Sequence, residues 1–230
     1  MSRFEKVLTR INAAASRPGR SDADIKLLAV SKKQSLEKIR ALVEAGQTRF
    51  GESYVDEALG KIDALSSARL EWHFIGPVQS NKTRALAERF DWVQSVDRAK
   101  IVRRLNEQRP AEMAPLNVLI QVNPDGESQK AGCDPDRIEE LAAMIDAAPR
   151  LTLRGLMAIP APRRDPAAQD AVFAGLRDLF EALAGKRSGV DTFSAGMSAD
   201  LEAAIANGST MVRVGTDLFG PRPNGSAHVQ

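Results

Sequence analysis

Two rhythms of apolar and polar residues run along this chain. Phe4, Val7, Leu8 and Ile11 recur at helical spacing and predict an amphipathic helix at its start. Eight short apolar runs follow: KLLAV (26–30), RFGE (49–52), EWHFIG (71–76), WVQSV (92–96), LNVLIQVN (116–123), LTLRGLMAI (151–159), TFSAGM (192–197) and MVRVG (211–215). The segments between them carry helical periodicity. SLEKIRALVEAG ends on Gly46, and DPAAQDAVFAGLRDLFEAL opens with Pro166 and sets Val172, Phe173, Leu176, Leu179, Phe180 and Leu183 on one face. Alternation with short connections predicts parallel strands joined by right-handed crossovers, and eight such strands close a barrel. The expected fold is therefore α/β, a (β/α)8 TIM barrel with an extra N-terminal helix, with residues 1–230 forming one domain. A doubly wound open sheet competes with it, but that fold is favoured by a Gly-rich turn after the first strand, and SKKQS contains no glycine. No internal repeat or linker interrupts the pattern, and the polar, Pro-rich end PRPNGSAHVQ (221–230) reads as frayed.

Composition narrows the function classes. Apolar residues make up 43% and charged residues 27%, and 32 basic against 30 acidic side chains leave a formal charge of +2, an ordinary globular balance. Aromatics are only 5% and the basic residues are dispersed among acids, so a nucleic-acid partner is not expected. The single cysteine, Cys133, excludes an internal disulfide, and two histidines, His73 and His228, supply no cluster with metal-ligand spacing. The first ten residues, MSRFEKVLTR, carry Arg3, Glu5, Lys6 and Arg10 and no apolar segment, so neither a signal peptide nor a membrane anchor is expected, and the cytoplasm is the expected compartment.

In a barrel the chemistry gathers just past the carboxyl ends of the strands. The first strand ends in Ser31, Lys32 and Lys33. A lysine there is either a charge meeting water at the edge of the core or a partly desolvated amine able to form a Schiff base with an aldehyde. The loops after the last two strands read SAGMSAD and RVGTD. In them Gly196 and Gly215 permit close backbone approach, while Ser198 and Thr216 place hydroxyls beside peptide N–H groups, a pattern suited to phosphate. Ser198 also reads as a plain helix N-cap, and Asp200 and Glu202 would oppose an anion there. Arg213 lies within an apolar strand. It points either to the helix layer, paired with a carboxylate, or into the mouth, and strand parity decides which.

LLAVSK, FGESYVDEA, WHFIGPVQSNK, LIQVNPDGESQKAG, LRGLMAIP and GMSADLEAAIANGSTMVRVGTDLFG together resemble the pyridoxal 5′-phosphate (PLP) homeostasis proteins, which are similar to the N-terminal barrel of alanine racemase; the resemblance covers nearly the whole chain. It implies PLP as cofactor, held as a Schiff base on Lys32, not Lys33, with its phosphate on Ser198, Gly215 and Thr216. By the same resemblance Arg213 faces the pyridine nitrogen, where a cation disfavours ring protonation and weakens the electron sink. Asn123 and Met157 match positions lining the family pocket, and His73 is a buried, hydrogen-bonded structural residue. Two positions depart from the family pattern: Ser53 stands where asparagine is usual, and Ala195 where Ser-Met-Gly-Met-Ser has methionine. Lys82 and Lys130 match family lysines and read as solvated charges.

The function expected from this likeness is a PLP carrier or buffer serving vitamin B6 and amino-acid homeostasis, a monomer without turnover, with PLP-dependent apoenzymes as transient partners. An amino-acid racemase using the same site is the alternative. Against it, two-base racemisation needs an acid opposite the lysine, and the only tyrosine, Tyr54, falls at the start of the helix after strand two. A Schiff-base lyase or aldolase acting on a sugar phosphate is a third class, needing the lysine and the phosphate site but no cofactor.

Overall fold

The computed structural model describes residues 1–16, 25–127 and 131–221; Lys130, His228 and the end of the chain from Arg222 lie outside the described residues. Eight parallel strands close on themselves in chain order, β1 pairing with both β2 and β8. They are β1 (Lys26–Val30), β2 (Arg49–Glu52), β3 (Glu71–Phe74), β4 (Trp92–Val96), β5 (Leu116–Val122), β6 (Leu151–Ala158), β7 (Thr192–Ser194) and β8 (Met211–Val214). Each apolar run contains one strand. β3, β5, β6, β7 and β8 stop before their runs do, because the chain leaves the sheet there to build the mouth of the barrel.

The extra N-terminal helix is α1 (Arg3–Ala15). Ser2 and Glu5 form a reciprocal capping box at its start: the Ser2 hydroxyl accepts the Glu5 N–H at 3.1 Å and the Glu5 carboxylate accepts the Ser2 N–H at 2.6 Å. Around the barrel run α2 (Leu36–Glu44), α3 (Val55–Ala64), α4 (Thr83–Arg89), α5 (Ala99–Gln108), α6 (Ile138–Asp146), α7 (Pro166–Ala184), α8 (Leu201–Ala206) and α9 (Thr216–Phe219). α7 starts where Asp165 caps the Ala167 and Ala168 N–H groups and Pro166 takes the first helical position. Its predicted face meets the sheet through Phe173, Leu176 and Leu183.

Strand parity divides the interior into two layers. Leu27, Ala29, Trp72, Phe74, Val93, Val118, Ile120, Val212 and Val214 belong to the apolar layer between sheet and helices. His73, Trp92, Gln94, Leu119, Met157, Ser194, Met211 and Arg213 occupy the bore. Gly155 holds φ at +145°, and a Cβ there would lie 1.9 Å from the Thr192 carbonyl oxygen, so β6 can lie against β7 only with glycine at this position.

Candidate functional site

At the end of β1, successive residues diverge. Ser31 is buried, Lys32 is half-buried and lines a cavity of about 240 Å³ at the barrel mouth, and Lys33 is exposed. The divergence comes from the backbone of Lys33, which sits at φ +59°, a left-handed conformation that costs a non-glycine residue roughly 1–2 kcal/mol. Lys33 donates its N–H to Glu57 at 2.6 Å and carries its ammonium 5.7 Å from the centre of the Tyr54 ring, away from the cavity.

A buried ion-pair group from α3 and β2 holds this turn. The Lys61 ammonium donates to the Ser31 carbonyl at 2.7 Å, to Glu52 at 2.8 Å and to Glu57 at 2.6 Å, and the Ser31 hydroxyl donates to Glu52 at 2.6 Å. The peptides on both sides of Lys32 are therefore tied to one cluster. Burial raises the pKa of Glu52, although Lys61 and Ser31 oppose the rise, and its second oxygen has no partner among the described residues.

Ser198, Arg213, Gly215 and Thr216 line the same cavity as Lys32, with Val30, Ile75, Ile159 and Met197 as apolar walls. Ser198 does not cap a helix. α8 begins behind Asp200, whose carboxylate instead accepts the Met197 N–H at 2.6 Å and closes the loop, leaving Ser198 on the cavity wall. The acidic residues near this loop are answered by a cation the sequence reading did not single out. Arg10 of α1 donates to Glu202 at 2.6 Å, to Asp217 at 2.5 Å and to the Ser198 carbonyl at 2.9 Å, joining the loops after β7 and β8.

Arg213 points inward. Its Nη1 donates to the Ser194 carbonyl and hydroxyl, each at 2.7 Å, and its Nη2 to the Ala158 carbonyl at 2.8 Å. None of these partners is a carboxylate, so burial pushes the guanidinium down to about 10, still cationic at neutral pH.

The other two predicted site residues come from the ends of β5 and β6. Asn123 follows β5, donates its side-chain amide to the Glu127 carbonyl at 2.9 Å and has a buried Oδ1 without a partner among the described residues. Met157 packs with Trp92 and Leu119 in the bore. Neither is among the residues lining the Lys32 cavity. Tyr54 is half exposed and, with Ser53, lines a separate cavity. His73 is fully buried and hydrogen-bonded, as expected; Lys82 pairs with Asp56 at 2.7 Å near the surface; and Ala195 is fully buried beside Phe193 and Ala204.

Three comparisons bear on this geometry. The family described as alanine racemase, N-terminal domain, matches residues 9–223. The pyridoxal phosphate homeostasis protein of Pseudomonas aeruginosa is 54% identical over 221 residues, covering 96% of this chain and 95% of its own, and its Escherichia coli K12 counterpart is 51% identical over 220 residues, covering 94% of each. The solved structure of PipY from Synechococcus elongatus with PLP bound superposes with a TM-score of 0.80 at 32% identity, covering 93% of this chain and 100% of that one.

Proposed function

Because the chain belongs to the pyridoxal phosphate homeostasis protein family, within the alanine racemase N-terminal domain group, we propose that it binds PLP at the barrel mouth through Lys32 and stores and releases it without turnover. The observation that carries the reading is the convergence of Lys32, Arg213, Ser198 and Thr216 on one cavity while Lys33 turns away. The donor set suits that molecule. PLP supplies an aldehyde, which condenses with a lysine amine to a Schiff base with loss of water. Ser198, Gly215 and Thr216 offer hydroxyl and peptide donors to its phosphate, and the apolar walls suit the faces of its ring.

Arg213 suits an unprotonated cofactor ring. A guanidinium is a donor only, so it can bond the ring nitrogen solely in its unprotonated form, the form that withdraws electrons least. Tyr54 is the chain's only tyrosine, and it lines a different cavity from Lys32. Release to PLP-dependent apoenzymes is the role this leaves.

The purified protein mixed with PLP is expected to gain a visible absorption band that borohydride abolishes, with the reduced label mapping to the Lys32 peptide. Lys32→Ala should lose the band and Lys33→Ala keep it. A label on Lys26, Lys33 or Lys61 instead would reject this site.

A further inference from the structure

A single file of hydrogen bonds threads the bore and ends on Arg213. Glu71, at the amino end of β3, accepts from His73 Nε2 at 2.7 Å. Gln94 on β4 places its amide nitrogen 2.8 Å from His73 Nδ1 and its carbonyl 2.7 Å from the Ser194 hydroxyl, which in turn lies 2.7 Å from Arg213 Nη1. Chemistry fixes the direction of every member. Glu71 is an ionised carboxylate and can only accept, and burial holds His73 neutral, so the ring proton sits on Nε2 and Nδ1 accepts from the Gln94 amide nitrogen. Ser194 accepts from Arg213 and donates to Gln94. Turning the amide over would set its oxygen against the lone pair of His73 Nδ1, so the file has one orientation, running from a cation at the mouth to an anion at the base.

The file determines which edge of Arg213 meets the cavity. Ser194 occupies both hydrogens of Nη1 and Ala158 one of Nη2, leaving Nε–H and the second Nη2 hydrogen without a partner among the described residues. We propose that Gln94, acting through Ser194, is a positioning residue for Arg213, and that the Glu71–His73–Gln94–Ser194 file presents the unused guanidinium edge to the ring of the bound cofactor. The inference rests on the PLP reading of the cavity.

Gln94→Met cuts the file with a side chain of similar length and no amide. It is expected to raise the dissociation constant for PLP roughly tenfold, the scale of one lost hydrogen bond to a charged group, and to move the absorption maximum of the bound cofactor. Ser194→Ala should do the same, and it decides the matter if Gln94→Met does not fold. Combining Gln94→Met with Arg213→Lys should weaken binding no further than Arg213→Lys alone, because both act on one contact. As a control, Gln47→Met removes a buried amide that bonds Leu27 and Arg49 carbonyls outside the bore; it should lower the melting temperature without shifting spectrum or affinity. Wild-type affinity and spectrum in the file variants, or losses that add to those of Arg213→Lys, would overturn the positioning role while PLP binding stands. No PLP binding by the unmodified protein would overturn the cavity reading itself, and this inference with it.

Discussion

Along β8, Val212 and Val214 pack into a layer of leucines, valines and phenylalanines against the helices, whereas Met211 and Arg213, their neighbours in sequence, point into a bore shared with His73, Gln94 and Ser194. Barrels of this class usually fill the bore with branched aliphatic side chains. Here it contains a cation, an imidazole, an amide and a hydroxyl, each of which would cost several kcal/mol if buried without partners. Each has them. The outer layer is specified by volume and the bore by hydrogen-bond direction, so the two should answer differently to substitution. Stability alone does not require the polar filling, since well-packed apolar residues often replace buried polar groups at no loss. The difference teaches that the bore is arranged to place Arg213.

The sharpest way to separate the two layers is to open a cavity in the outer one. Leu105 is fully buried on α5 and belongs to the apolar layer outside the bore. Leu105→Ala should cost about 2–5 kcal/mol of unfolding free energy, read from urea denaturation. The position of the PLP absorption band should not move in the molecules that stay folded. A band shift as large as that of Gln94→Met would mean the layers are not independent.

The strands of both layers were legible because a short apolar run reads as a buried strand whichever way its residues point, and the closing of eight such runs follows from their alternation with helices. Parity was not legible, so Arg213 in MVRVG could face either layer until Ser194 and Ala158 were seen to hold it. Gln94 in WVQSV carries the same signal, a polar residue inside an apolar strand, and could have been flagged by the same argument. Ser198 misled as a helix cap because a serine before an acidic apolar segment is a common start signal, and the competing bond from Met197 N–H to Asp200 is not visible in spacing. Arg10 was out of reach: its partners lie 188, 192 and 207 residues away, and on an amphipathic helix it reads as a solvated charge. Asn123 and Met157 entered through family likeness alone; neither lines the Lys32 cavity, and Met157 lies beside Ser194, the partner of Arg213.

The bore should also reveal itself through pH. Burial lowers the pKa of His73 from 6.5, and the attraction of Glu71 and Asp91 only partly offsets it, with Arg49 adding to the lowering. A histidine lowered in the folded state takes up a proton more readily when unfolded, so stability is complete above pH 6.5 and falls as pH drops from there toward the folded pKa. The loss is up to about 1.4 kcal/mol per pH unit across that window. Denaturation midpoints of the wild type should therefore decline as pH falls below about 6.5, with the burial-raised carboxyls of Glu52 and Asp91 acting in the opposite sense where they titrate. His73→Gln should flatten that segment of the curve. An unchanged slope in the variant would mean that His73 is not held neutral in the fold.

The smallest expected effect comes from the rim, where outer helix and mouth meet. Arg10 reaches from α1 to Glu202, Asp217 and the Ser198 carbonyl, so it both neutralises two acids near the proposed phosphate loops and ties those loops together. Its side chain and those of its acidic partners are a third to a half exposed, so water and salt screen these pairs and each is worth less than 1 kcal/mol. Arg10→Met should accordingly weaken PLP binding only about threefold at low salt, by restoring negative charge near the phosphate and loosening the Ser198 loop. Pyridoxal, which lacks the phosphate, should bind the variant as it binds the wild type. The loss should shrink as ionic strength rises, because the charge component is screened while the loop geometry is not. Isothermal titration with both ligands at two salt concentrations separates the components. Equal weakening toward PLP and pyridoxal would show that Arg10 supports the whole mouth and has no particular bearing on the phosphate side.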